Sequence, residues 1–283
     1  MLRFISFGSG SSGNCYFLFT DNDGIIIDAG SVTLEKIGPD GKRKRESGFK
    51  ILKKYFFDYG LNFEQVHNIL ITHDHADHIA LVGTISHYYH LPVYATAAVH
   101  EGIDHNYCVQ RKVAQELRQY IEPGKTIQLG DFTITPFSVP HDSSDNVGYF
   151  IEAEGTNFCL ITDAGEVRPE MAAYITKARH LVIEADYEVE KLQKGPYPQH
   201  LKKRINSETG HLSNKACGEA IAQNMSEELQ NVWLCHLSAE NNHPELARKT
   251  VESVLRSYGI VVGKDLQLEV LKRTNPTGIF ELK

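Results

Sequence analysis

No stretch of the 283 residues reaches the eighteen or so consecutive apolar side chains of a membrane-spanning helix, so no such helix is expected. The first residues, MLRFISFGSG, carry neither the long apolar core nor the small-residue cleavage site of a secretory signal. The expectation that follows is a cytoplasmic protein with no membrane partner. Cysteine is scarce and unpatterned: Cys15, Cys108, Cys159, Cys217 and Cys235 are odd in number, scattered, and form no Cys-x-x-Cys pair. Most sit among apolar neighbours and read as small buried thiols, which disfavours a disulfide framework or a sulfur-ligated metal. The Gly-x-Ser-x-Gly turn that would present a serine nucleophile is also missing. Basic charge is not in excess, since 29 Lys and Arg face 36 Asp and Glu for a net charge of −7. Any polyanionic partner must therefore be met by local basic segments rather than by the bulk field.

What the chain has in plenty is histidine, 14 in all, and their placement carries chemistry. Residues 69–78 read ILITHDHADH: a short branched apolar run, the composition of a buried strand, leads straight into His73, His75, Asp77 and His78. Imidazole and carboxylate are the donors that borderline divalent metals accept. A polar loop of solvated histidines is the bland alternative. Later strands weigh against it, because they end in the same way. The predicted strand 132–139 exits at His141, the strand 157–162 at Asp163, the strand 180–185 at Glu184 and Asp186, and the strand 232–235 at His236.

Between these exits the pattern is α/β. Residues 2–6 and 15–20 read as strands flanking the loop Gly8-Ser9-Gly10-Ser11-Ser12-Gly13-Asn14, whose glycines permit positive φ and an anion-facing run of N–H groups. A plain hairpin connection is the equal alternative there. Residues 24–29, GIIIDA, form a buried strand. Residues 31–48 lose all periodicity and read as an exposed loop, basic at Lys42-Arg43-Lys44-Arg45. Helices are predicted over 49–59, over 78–90 with His87 and His90 at the surface, and over 168–178, with polar helical material from a Thr96 N-cap to residue 119. Residues 147–152 and 157–162 form a hairpin around Glu154-Gly155. With 41 % hydrophobic residues and no sequence repeat, residues 1–283 are expected to form one folded domain.

His73, His75, Asp77, His78, His141, Asp163 and His236 together resemble the metallo-β-lactamase superfamily in type, order and context. The resemblance implies a four-layer αββα sandwich, two mixed β-sheets flanked by helices. It also implies that His73, His75 and His141 bind one metal, that Asp77, His78 and His236 bind a second, and that Asp163 bridges them. Independently of the resemblance, these seven donors exceed what one four-coordinate ion needs, and two neighbouring ions can share a hydroxide while clamping attacking and leaving oxygens. Zinc, manganese and iron all suit such donors.

A second set, Glu184-Ala185-Asp186-Tyr187, residues 197–205 (YPQHLKKRI) and Gly210-His211-Leu212-Ser213-Asn214, together with the Ser9–Tyr16 run, resembles the nuclease-like YycJ/WalJ branch. What this implies is a dinuclear metal-dependent phosphodiesterase that uses a metal-bound hydroxide, with DNA as the favoured substrate and exonuclease action. Asp77, His211 and Glu184 are the implied catalytic residues, His211 as proton donor to the leaving oxygen and Glu184 as its orienting partner. Ser11, Ser12, Asn14, Lys202, Lys203, Arg204 and Ser213 are the implied substrate contacts. The residues leave bland alternatives beside these: Ser213 as the cap of a helix, and Lys202, Lys203 and Arg204 as a solvated basic helix face. Two other functions also fit. One is a small-molecule hydrolase acting on a thioester, lactone or cyclic phosphodiester. The other is a metal-stabilised scaffold, which the full set of competent donors argues against.

Overall fold

Alternation with period two builds the centre of the molecule. In β1 (Leu2–Gly8) and β2 (Cys15–Phe19), Leu2, Phe4, Tyr16 and Leu18 face one side while Ile5, Phe7, Phe17 and Phe19 face the other, and both sets are buried. β3 (Gly24–Ile27) follows the same rule. Strands buried on both faces demand cover on both faces, so the sheets must lie inside the molecule.

The computed structural model describes residues 1–37 and 43–283. After β4 (Thr33–Ile37) and β5 (Arg43–Ser47) the chain runs through α1 (Phe49–Asp58), β6 (Val66–Leu70), α2 (Ala76–Ile79), α3 (Val82–Tyr89), β7 (Val93–Ala95), α4 (Ala97–His105) and β8 (Arg118–Tyr120). Next come β9 (Ile127–Leu129), β10 (Phe132–Ser138), β11 (Val147–Ala153), β12 (Thr156–Ile161), α5 (Pro169–Lys177), β13 (His180–Glu184), α6 (Val189–Lys194), α7 (Gln199–Ile205) and α8 (Asn214–Asn224). β14 (Asn231–Cys235), α9 (Pro244–Ser257), β15 (Gln267–Val270) and β16 (Phe280–Leu282) complete it. One sheet has the order β16-β1-β2-β3-β6-β7-β8 and the other β15-β14-β13-β12-β11-β10-β9. Both are mixed. An apolar layer between the sheets holds Phe4, Tyr16, Phe158, Tyr149 and Trp233. Outer layers seat α1, α3 and α4 on the first sheet and α5, α8 and α9 on the second, giving the αββα sandwich expected.

Strand direction explains where the site lies. β12, β13 and β14 are parallel neighbours, and β10 points the same way because two antiparallel pairings separate it from β12. β3 and β6 are likewise parallel, and β1 shares their direction. The exits of β12, β13, β14 and β10 therefore lie side by side at one edge of their sheet, as do those of β1, β3 and β6 in theirs.

The structure departs from the sequence expectations in three places. Residues 31–48 are not a featureless loop, because β4 and β5 pair as an antiparallel ribbon from Thr33↔Ser47 to Ile37↔Arg43. β5 (RKRES) has no apolar residue and β4 (TLEKI) does not alternate strictly, so the ribbon lacks the signature of a half-buried strand. The Pro39-Asp40-Gly41-Lys42 part of the basic segment lies outside the described residues. The helix expected over 78–90 is broken in two around Ala80 and Leu81, where Leu81 N–H donates to the Ala29 carbonyl. His87 is exposed and His90 closes α3 in the left-handed conformation. The helix after Thr96 ends at His105, and of the stretch expected to be helical only one 3-10 turn, Gln115–Leu117, remains before β8.

Candidate metal centre

Three strand exits adopt left-handed backbone at residues that are not glycine: Asp28 (φ 59°), Asp163 (φ 51°) and His236 (φ 52°). Such conformations are disfavoured and persist where surrounding contacts enforce them. Here they turn three side chains out of their strands toward a common centre. His73, His75 and His141 offer ring nitrogens that lie within 4.8 Å of one another, and so do the donors of Asp77, His78 and His236. Asp163 stands between the groups, with Oδ2 3.2 Å from His78 Nε2 and Oδ1 3.5 Å from His236 Nε2 and 3.8 Å from His141 Nε2.

A second layer of acceptors orients the imidazoles. His78 Nδ1 lies 2.7 Å from Asp28 Oδ2, His141 Nδ1 2.9 Å from the Gly210 carbonyl, and His236 Nδ1 3.2 Å from Glu184 Oε1. An acceptor at Nδ1 places the proton there and leaves the Nε2 lone pair facing inward, as a metal ligand requires. His73 Nε2 is buried without any hydrogen-bond partner, and His75 Nδ1 faces His141 Nε2 at 3.2 Å. An orphaned buried nitrogen and two converging ring nitrogens fit a cation better than they fit a hydrogen-bond network. The donor set suits divalent ions bound by nitrogen and oxygen.

Glu184 is fully buried and accepts from four donors: Ala164 N–H (2.8 Å), Leu212 N–H (3.0 Å), His211 Nδ1 (2.8 Å) and His236 Nδ1 (3.2 Å). Its Oε2 thus fixes two backbone segments and its Oε1 two rings. Burial pulls the His211 imidazole down, but the charges of Glu184 and Asp186 outweigh it and raise its pKa to about 9. Burial pushes Asp186 the other way, up to about 6. Burial also penalises the Asp163 carboxylate, yet the surrounding His236 and His78 hold it well below the usual range. His73, dominated by burial, is pushed well below its usual value and stays neutral.

Of the residues singled out in the sequence, the seven candidate ligands and the Glu184–His211 pair all meet at this edge. Asn14 joins them, buried, with its Nδ2 2.9 Å from His78 Nε2 and 3.1 Å from Asp77 Oδ2. Ser11 and Ser12 are exposed on the loop outside. Ser213 is the N-cap of α8, its Oγ accepting from Ala216 N–H at 3.1 Å, as the bland alternative had it. Lys202 turns away from any ligand: its ammonium donates to the carbonyls of Gln193 (2.7 Å) and Gly195 (2.8 Å) and ties α7 to α6. Arg204 grips Asp142, the neighbour of His141, through both Nε and Nη2. Lys203 is exposed.

Four supporting residues were not anticipated. Asp28 holds His78, and also accepts from Thr72 N–H (2.9 Å) and Thr72 Oγ1 (3.0 Å). Its position at a strand exit was the available signal. Ser9 Oγ accepts from His236 N–H at 2.9 Å, so the glycine-rich loop braces a ligand candidate rather than only facing solvent. Asp74 accepts from Ser144 N–H (3.1 Å) and Oγ (2.6 Å), joining the 73–78 loop to the loop after His141. Gly102 makes room for it, since a Cβ there would stand 1.9 Å from Asp74 Oδ2.

A family model described as a β-lactamase superfamily domain matches residues 58–236. Exodeoxyribonuclease YycJ of Bacillus anthracis is 32 % identical over 278 residues, covering 98 % of each chain. Exodeoxyribonuclease WalJ of Streptococcus pneumoniae serotype 2 is 33 % identical over 274 residues, 97 % of this chain and 96 % of that one. Among solved structures, the metallo-β-lactamase fold protein YhfI of Bacillus subtilis superposes with a TM-score of 0.68 at 15 % identity, over 98 % of this chain and 99 % of that one.

Proposed function

Because the chain belongs to the β-lactamase superfamily and, within it, to the YycJ/WalJ branch, we propose that it is a dinuclear phosphodiesterase that degrades DNA from an end. That it is a metal-dependent hydrolase follows from the family; the number of metals, the bond cleaved and the residue roles are the proposal. Residues 1–283 act in it as one domain. His73, His75 and His141 would hold one divalent ion, Asp77, His78 and His236 the other, with Asp163 shared, and zinc or manganese suits both, with iron a third choice. When bound, two such ions polarise a phosphoryl oxygen and acidify water, so no side-chain nucleophile is required.

The chain's own residues supply the rest. His211, charged near neutral pH and held by Glu184, is placed to give a proton to the departing sugar oxygen, a poor leaving group without one. Its ring lies parallel to that of His236, with centroids 5.4 Å apart, and edge-on to that of His141 at 5.0 Å. Glu184 keeps both rings aligned and is itself too enclosed to touch substrate. Asn14 steadies the Asp77 carboxylate. Ser11, Ser12, Lys203 and Arg204, all exposed, would meet a phosphate backbone with hydroxyls and cations. Asp77 serves as ligand and as partner of His236, whose Nε2 lies 3.2 Å from Asp77 Oδ2.

The observation that carries the DNA reading is the likeness, over nearly the full length, to two chains named exodeoxyribonucleases. The test compares turnover of bis-p-nitrophenyl phosphate by metal-loaded protein with turnover of thioester, lactone and cyclic phosphodiester substrates. Preference for the phosphodiester, lost in Asp77→Ala and His141→Ala, is expected. Preference for a thioester, lactone or cyclic phosphodiester over the linear diester would point to the small-molecule class instead.

A further inference from the structure

The ligands of each candidate metal position come from both sheets, so something must fix the distance between them. His73 and His75 leave β6 of the first sheet, whereas His141 leaves β10 of the second. Backbone contacts join these exits only as far as residue 73: Val147 N–H donates to the Thr72 carbonyl at 3.1 Å, and His73 pairs with Asn146 in a single antiparallel bridge. Beyond that bridge the Asp74 carboxylate takes over, receiving Ser144 N–H on Oδ1 at 3.1 Å and Ser144 Oγ on Oδ2 at 2.6 Å. The Asp74 carbonyl accepts from Asn106 Nδ2 at 3.0 Å, which ties the same turn to the end of α4. Both carboxylate oxygens are spent on neutral donors, so what Asp74 supplies is position rather than charge.

α4 is shaped to admit this carboxylate. A Cβ on Gly102, inside the helix, would stand 1.9 Å from Asp74 Oδ2 and 2.7 Å from Asp74 Cβ. Glycine at such a place costs a helix about 0.5–1 kcal/mol relative to alanine. Asp77, His78 and His236 are fastened by other residues: Asn14 reaches Asp77 and His78, Asp28 holds His78, and Ser9 Oγ accepts from His236 N–H. Asp163 and Thr72 touch both halves, Thr72 through an Oγ1 that lies 3.0 Å from Asp28 Oδ1 and 3.0 Å from His73 Nδ1. The side-chain and carbonyl bonds of Asp74 go to Ser144 and Asn106 instead.

We propose that Asp74 is a positioning residue for one metal position alone: it sets the affinity of the position formed by His73, His75 and His141 and leaves that of Asp77, His78 and His236 unchanged. The inference rests on the reading that two ions bind, and deepens it by giving each position its own support. A clamp that fixes ligands from two sheets at their working separation removes freedom that a bound cation would otherwise have to freeze. His75 Nδ1 and His141 Nε2, 3.2 Å apart, are the atoms it keeps in register.

The test measures both dissociation constants of the full chain, stripped of metal and then competed for zinc against a chromogenic chelator. Asp74→Ala should weaken one ion about 10–100-fold, the range for a lost outer contact, and leave the other within about threefold. Asp74→Asn can still accept from Ser144 N–H and donate to Ser144 Oγ, so it should bind both ions nearly as the wild type does. Ligand deletions assign the affected position: adding Asp74→Ala to His75→Ala should barely change the remaining affinity, whereas adding it to His236→Ala should reproduce the full loss. Gly102→Ala displaces the carboxylate while favouring the helix, so it should weaken the same ion, and should do nothing further in an Asp74→Ala background. Equal losses at both positions, or a Gly102→Ala effect undiminished when Asp74 is absent, would overturn the proposal while leaving the binding of two ions intact. Wild-type protein that takes up only one ion would overturn the proposal and the two-ion reading together.

Discussion

Replacing Asp28 by Asn isolates the layer of acceptors behind the candidate ligands. Asn tolerates the left-handed backbone at this position nearly as well as Asp, so the φ of 59° need not change. The main-chain N–H and hydroxyl of Thr72 will keep the amide oxygen, at the 2.9 and 3.0 Å now spanned by Oδ1. The amide nitrogen is then left facing His78 Nδ1 across 2.7 Å. Two N–H groups cannot face each other, so the His78 proton must move from Nδ1 to Nε2, and the lone pair turns away from the centre. The hydrogen bond is reversed rather than lost, and thermal stability should fall by only about 1 kcal/mol, roughly 2–4 °C in Tm. Metal affinity should fall far more, about 10–100-fold, or ~1.4–2.7 kcal/mol, because the tautomer that binds a cation is no longer favoured. Competition with a chromogenic zinc chelator measures the affinity and differential scanning calorimetry the stability. An Asp28→Asn protein that binds metal within threefold of the wild type would refute the orienting role.

Three further outcomes follow from the same contacts. A Cβ on Gly30 would stand 1.8 Å from the Asp77 carbonyl and 2.6 Å from Asn14 N, so Gly30→Ala should cost about 1–3 kcal/mol in chemical denaturation, weakening metal binding as the 73–78 loop shifts. Burial lowers His180 to a pKa of about 4 against an ordinary 6.5. The unfolded chain therefore takes up this proton first, and stability is lost as pH falls from about 6.5 to 4. That loss amounts to ~3 kcal/mol for this group, read as the difference in pH slope between wild type and His180→Gln. Arg204→Ala removes a surface ion pair with Asp142 worth at most ~1 kcal/mol, so Tm should barely move, while KM for DNA should rise and the salt dependence of binding lessen by about one counterion.

The ligand candidates of residues 73–78 were legible because they are local in sequence, and four more strands repeated the device of an apolar run ending in His, Asp or Glu. Asp28 carries the same signature in GIIIDA, yet a lone carboxylate without histidine neighbours gave no reason to choose it. Ser9, Asp74 and Gly102 were invisible for a different reason. Their roles depend on which loops meet, and that is set by strands running in one direction through two sheets rather than by spacing. The β4–β5 ribbon escaped notice because β5 (RKRES) has no apolar residue and β4 (TLEKI) no strict alternation. β16 reads as nothing in isolation, since Phe280-Glu281-Leu282 becomes a strand only by pairing with Leu2, Arg3 and Phe4 at the opposite end of the chain. The basic run Lys202-Lys203-Arg204 looked uniform and is not: one cation ties two helices, one grips Asp142, and one, Lys203, is exposed.

The measurement that bears most directly on the whole account is the fate of end-labelled DNA incubated with purified protein of known metal content. Two divalent ions per chain by elemental analysis, progressive shortening of the DNA from an end, and loss of both in Asp163→Ala are the predicted result. Protein that carries its full metal complement yet leaves single- and double-stranded DNA intact, while turning over a lactone, thioester or cyclic phosphodiester, would contradict it.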